Sequence, residues 1–167
     1  MVRQYVKENA GEDQWVFLQS IVYGQRINDA KPYPGVVEFI SQATKQLDIY
    51  IISHKTKIAQ LDKKTDLIKA ATYWLNKHNI TQMLPNQAIH FENSRDNKIS
   101  RIKMVRCDVF IDDLIDVFLH PGFPHKTQKI LFDPTNFYKV KSGISVVNCW
   151  EQLNYLIPNQ IKNELEW

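Results

Sequence analysis

The chain has 167 residues, 44% of them hydrophobic, which suits one domain with a real core. Its 21 basic and 18 acidic residues leave a formal charge of +3, spread along the chain. The one dense basic run, Lys55 to Lys69, is broken by apolar residues and by Asp62 and Asp66, so it reads as a solvated loop and helix face rather than a nucleic-acid stripe.

Other classes are excluded in the same way. No apolar run approaches the roughly 20 residues that a membrane helix needs, and the N-terminus lacks an apolar signal core. Cys107 and Cys149 sit beside apolar runs without metal-type spacing, which favours buried thiols in a reducing compartment over a disulfide. The expected setting is cytoplasmic, with no membrane and no nucleic acid as partner.

Residues 1 to 30 read as helical, with Trp15, Phe17, Leu18, Ile21 and Val22 near helical spacing and a break at Gly11 and Asp13. "KPYPG" (31 to 35) punctuates the chain, and Pro34 suits the first turn of a helix carrying Val36, Val37, Phe39 and Ile40. "DIYIIS" (48 to 53) predicts a buried strand that enters a polar loop. Residues 65 to 78 predict an amphipathic helix with Leu67, Ala71, Trp74, Leu75 and His78 on one side. "AIHF" (88 to 91) predicts a strand, and residues 97 to 105 a helix with Ile99, Ile102 and Val105 inward. "CDVFID" (107 to 112), "KILFD" (129 to 133) and "ISVV" (144 to 147) predict three more strands, before a closing helix over 149 to 157. This alternation argues for an α/β fold: a mostly parallel sheet with helices on both faces. No Gly-rich phosphate loop occurs among the 5 glycines.

The chemistry gathers at strand ends. Asp112 and Asp113 follow the apolar run Val109-Phe110-Ile111. Adjacent carboxylates repel and are costly to bury, but they are tolerable at a strand's C-terminal edge, facing water or a cation. In parallel sheets that edge is where ligands bind, and a hard cation such as Mg²⁺ takes oxygen ligands of this kind. Ser53 ends another strand and Lys98 opens a helix. Alone, Ser53 is an ordinary turn residue and Lys98 an ordinary helix-face lysine. Together a hydroxyl, an ammonium and a carboxylate-bound cation suit a phosphate. His54 and Lys55 follow Ser53 and could reach the same anion.

These residues carry a resemblance to the haloacid-dehalogenase-like (HAD-like) phosphatase superfamily, covering residues 34 to about 135 and the N-terminal helices loosely. "IYIISHKT" resembles the family's second motif with Ser53 as its hydroxyl. Lys98 in "NKISRI" resembles the third-motif lysine. "VFIDDLIDVF" resembles the fourth motif, with Asp112 and Asp113 as Mg²⁺ ligands. The resemblance implies a three-layer Rossmann-like single domain over 1–167, with residues 1–33 as a small helical cap. It also implies Mg²⁺-dependent hydrolysis of a small phosphorylated metabolite, with Ser53 and Lys98 in catalytic roles and Ser53, His54 and Lys98 binding phosphate.

The departure is as informative. The family's first motif, an apolar strand ending in Asp-x-Asp, supplies its nucleophile and its general acid/base. No Asp-x-Asp occurs in this chain; Asp13 and Asp29 follow no apolar strand, and Asp133 sits where the family places a later element. Without that carboxylate, covalent catalysis of the family type has no attacking group. In the family that strand resembles the middle of the sheet, so its loss would leave two neighbours about 9 to 10 Å apart, given a strand spacing of about 4.8 Å. The expectation is a chain shortened at its N-terminus and inactive. The alternatives are a segment in cis or from a second copy in the slot, giving a homo-oligomer through an unpaired edge, or direct closure of the two neighbours.

Overall fold

A computed structural model describes residues 2–59, 64–140 and 143–157. The N-terminal region is helical throughout. Helix α1 spans Val2–Ala10 and α2 spans Glu12–Ser20, separated by the break at Gly11. A π-helical turn (Ile21–Gln25) and a 3-10 turn (Ile27–Asp29) follow. Gly24 lies against the Thr65 side chain, where an added Cβ would collide. That close approach fastens the N-terminal region to the start of the helix at 67.

Gly35, at φ 82°, makes the left-handed turn that launches α3 (Val36–Ala43). Strand β1 (Ile51–His54) comes next, then α4 (Leu67–Lys77). Asp66 caps α4 by accepting the Lys69 backbone N–H at 2.9 Å. Short α5 (Ile80–Met83) leads to β2 (Ile89–Glu92). Ser94 caps α6 (Arg95–Met104) through the Asn97 N–H at 3.1 Å. Then come β3 (Val109–Asp112), short α7 (Ile115–Phe118), β4 (Gln128–Phe132) and β5 (Ser145–Val147). A 3-10 turn at Trp150–Gln152 runs into helical residues 153–157.

The fold is α/β, with every strand pair parallel, and the strands form two separate sheets, β1-β2 and β3-β4-β5. Alternate residues divide between two apolar clusters. One holds Ile51, Val109, Ile111, Ile130, Phe132 and Val147 with side chains of α3, α4 and α5. The other holds Ile52, Phe110 and Leu131 with Ile99 and Ile102 of α6 and Val117 and Phe118 of α7. Because strand side chains alternate between faces, the clusters lie on opposite sides of the strands. Each cluster draws on both sheets, so the two sheets share both covering layers.

Several boundaries differ from the sequence expectation, for physical reasons. The first strand begins at Ile51 rather than Asp48, because its ladder with β2 starts at the Ile51–Ile89 pair and, among the described residues, its other edge has no backbone partner. The helix carrying Lys98 begins two residues earlier than expected, at its Ser94 cap, so Lys98 lies within its first turns rather than at its mouth. The short helices α5 and α7 span one turn each and carry too little periodicity to be read from sequence.

Candidate functional site at the strand ends

Lys98 joins the two halves of the site. It is buried on α6, and its Nζ forms an ion pair with Asp112 Oδ2, the side chains being 9% and 5% exposed. The other Asp112 oxygen accepts the Leu114 backbone N–H at 3.0 Å. Helix α6 packs on β1 and β2 while Asp112 ends β3, so this one ion pair ties the two sheets together at their C-terminal ends.

Asp113 is more exposed than Asp112. Its carboxyl is pushed above the ordinary carboxylate range, first by partial loss of water and then by the Asp112 charge, with Lys98 acting in the opposite sense. His54, at the end of β1, is held below the usual imidazole range. Loss of water is the main cause, and the positive charges of Lys98, Arg95 and Lys55 add to it. His54 and Asp113 thus both feel Lys98, and this places the C-terminal ends of β1 and β3 on the same side. Ser53 precedes His54 on β1 and is half-buried.

One functional neighbour had no sequence signal. Tyr23, in the π-helical turn, lies under Lys55, whose Nζ stands 4.8 Å from the ring centroid. Desolvation and the Asp113 charge raise the Tyr23 hydroxyl above its usual range. Tyr23 therefore reaches from the β1 side of the site to the β3 side. The N-terminal helices cover the strand ends through this residue, some 30 positions from Lys55 in sequence.

A cleft of about 810 Å³ opens beside the acids, walled by Asp112, Asp113, Tyr33, Trp74, Phe137 and Lys31 among others. Ser53, His54 and Lys98 lie outside its lining. Asp133, which follows β4, also borders this cleft but is committed to its own loop. Burial acts to raise its pKa, yet donors from Tyr138 (2.7 Å), Phe137 and Thr135 outweigh that and hold it below the ordinary range. It organises the turn after β4 and has no free oxygen aimed at the other acids.

Mg²⁺ commonly binds through one or two carboxylates, with water or phosphate completing its shell. Asp112 and Asp113 have that chemistry. As arranged, however, Asp112 has both oxygens engaged and Lys98 stands as the cation beside it. Among the described residues no group of three or more His, Cys, Asp or Glu side chains converges on a metal position. The pair as placed does not fit a bound ion, and no chemical step is derived through one. Also among the described residues, no helix is long and apolar enough to cross a membrane.

Comparison with known proteins adds no relative: no family model, curated protein or solved structure matches the chain.

Proposed function

We propose that the chain is a HAD-like phosphatase-family protein that keeps a phosphate cradle and lacks the attacking carboxylate, so that alone it binds a small phosphomonoester without turning it over. The observation that carries this reading is the gathering of His54, Lys98, Asp112 and Asp113 by the C-terminal ends of β1 and β3, with Ser53 beside them. Lys98, Arg95 and Lys55 lie close enough to His54 to add to the loss of water that lowers its pKa, which favours an anion there. Lys98 has three donor positions and spends one on Asp112, leaving donors for a phosphate oxygen. In this reading residues 1–33 act as the cap, with Tyr23 as its contact to the site.

A non-catalytic role in sensing or assembly is the second reading, favoured by the absence of Asp-x-Asp. One experiment bears on both. Inorganic phosphate with Mg²⁺ should raise the melting temperature, and Ser53→Ala should reduce that gain, while a generic aryl phosphate stays intact. Rapid hydrolysis abolished by Asp112→Ala would show that a nucleophile exists after all. A melting temperature indifferent to both ligands would remove the cradle.

A further inference from the structure

We infer that the gap between β1 and β3 is a seat for a β-strand: an extended apolar peptide segment, not among these 167 residues, running parallel to both neighbours. A cleft of about 510 Å³ separates them. It is lined by consecutive residues on each side, Ile51 and Ile52 of β1 and Val109, Phe110 and Ile111 of β3. Consecutive strand residues point to opposite faces, so a cavity touching all of them meets the strands' edges rather than one face.

The backbone pattern gives the occupant its direction and its bonding. The Lys55 N–H donates to the Glu92 carbonyl at 2.7 Å, which turns the backbone groups of residues 53 and 55 to β2 and those of Ile52 and His54 to the gap. The Gln128 N–H donates to the Asp108 carbonyl at 2.7 Å, which turns 108, 110 and 112 to β4 and Val109 and Ile111 to the gap. Among the described residues no backbone group answers either edge. The Val109 carbonyl accepts instead from the Cys107 thiol at 2.9 Å, a weak donor. Two facing rows of N–H and C=O groups without a backbone partner among the described residues call for another backbone, which an apolar small molecule does not supply.

The gap's walls and mouths narrow the occupant further. The apolar clusters on both faces span β1 and β3, so the gap is flat and roofed on each side. An occupant must therefore be apolar on both faces, unlike the alternating strand of a half-exposed sheet. Its length is set by neighbours of 4 residues each. Asp48, Asp108 and Arg106 stand at one mouth, and Asp113 lies with Lys98 beyond the other, so the charges at the mouths are mixed and the apolar walls select the occupant. A second copy of the chain is a poor donor, because each of its described strands is already paired. In sequence, residues 60–63 and 158–167 contain no apolar run.

The test is amide hydrogen exchange by NMR on the whole chain, with an acetylated peptide carrying Val-Ile-Val-Ile-Val between lysines. A control peptide has proline at the central position. Alone, the chain should exchange Ile52 and Ile111 amides rapidly while Ser53 and Phe110, bonded to β2 and β4, stay protected. The peptide should slow Ile52 and Ile111 by about tenfold or more, leave Ser53 and Phe110 unchanged, and raise the melting temperature; the proline peptide should do neither. Slow Ile52 and Ile111 amides in the free monomer, with cross-strand contacts between β1 and β3, would mean that the gap closes on itself. Protection that tracks a dimer mass would assign the seat to a second copy. Protection by the proline peptide, or by neither peptide, also overturns the inference. None of these outcomes depends on phosphate binding.

Discussion

Ile111 and Ile130 sit opposite each other on paired strands and share one face of the sheet. Ile130 is 0% exposed, as is the next residue on its strand, Leu131. Ile111 is only half-buried, although the same cluster covers it. Their side chains are identical, and what differs is the number of strands beside them. β4 lies between β3 and β5 and has both edges paired, whereas β3 has β4 on one side and the gap on the other. β1 repeats the pattern, with Ile51 half-buried and Tyr50 exposed just ahead of it. Covering helices bury a strand's faces, but a neighbouring strand is needed to bury its edge. At the C-terminal ends of β1 and β3, the Asp112 carboxylate is held by the buried Lys98 ammonium of α6.

The largest expected effect tests those partners. Asp112→Ala leaves the buried Lys98 ammonium unpaired and should cost about 3–5 kcal/mol, read from the shift of a urea midpoint at constant slope. Changing both partners together, Lys98→Met with Asp112→Leu, should recover most of the loss, because the uncompensated charge is gone. A loss near zero for Asp112→Ala would mean that water already reaches the pair through the gap and that the strand ends are not dry.

The next effect measures the edge directly. Ile130→Ala should cost about 2–5 kcal/mol, since it opens a cavity where the surroundings are closed on every side. Ile111→Ala should cost less than half as much, because part of the isoleucine already faces the gap and less apolar contact is lost. Equal losses in parallel denaturation curves would break the comparison and show that β1 and β3 approach closely in solution.

These contrasts explain which parts of the architecture could be read from residue order. The apolar runs around Ile51, Phe91, Val109, Leu131 and Val146 announce strands because buried faces need apolar side chains wherever the strand pairs. Asp66 and Ser94 cap α4 and α6, a local signal that the expected starts at 65 and 97 did not use. Pairing partners are not local, so the late start of β1 required coordinates. At the candidate site, Ser53, Asp112 and Asp113 stand out as polar residues at strand ends, and Lys98 as a lysine early in a helix. The ion pair between Lys98 and Asp112 depends on where α6 lies across β1, and no spacing encodes that. Tyr23 was hidden for the same reason, being an ordinary aromatic in a helical stretch until Gly24 brings it over Lys55. Asp133 resembles Asp113 as an acid after an apolar strand; only the Thr135 and Tyr138 donors distinguish its role.

That last pair gives the smallest expected effect, and its sign depends on pH. Asp133 has a lowered pKa in the folded chain, so it contributes stability above the unfolded carboxylate value that is lost as pH falls through the folded value. Asp113 has a raised pKa, so its contribution is fully present below the unfolded value and is lost as pH rises through the folded one. Asp133→Asn should therefore destabilise the chain at neutral pH, by about 1–3 kcal/mol if the amide leaves one of the buried donors unmet. Its penalty should shrink in acid, where the native carboxylate is also neutral. Asp113→Asn should stabilise the chain slightly at neutral pH, with the gain vanishing in acid. Melting curves of both variants, taken from acid below the ordinary carboxylate range up to neutral pH, would show opposite slopes relative to the parent chain. Parallel slopes would mean that the two strand ends share one electrostatic environment, against the difference in their hydrogen-bond donors. A strand seated in the gap should alter the Asp113 slope and leave that of Asp133 unchanged, because only the former stands at the gap's mouth.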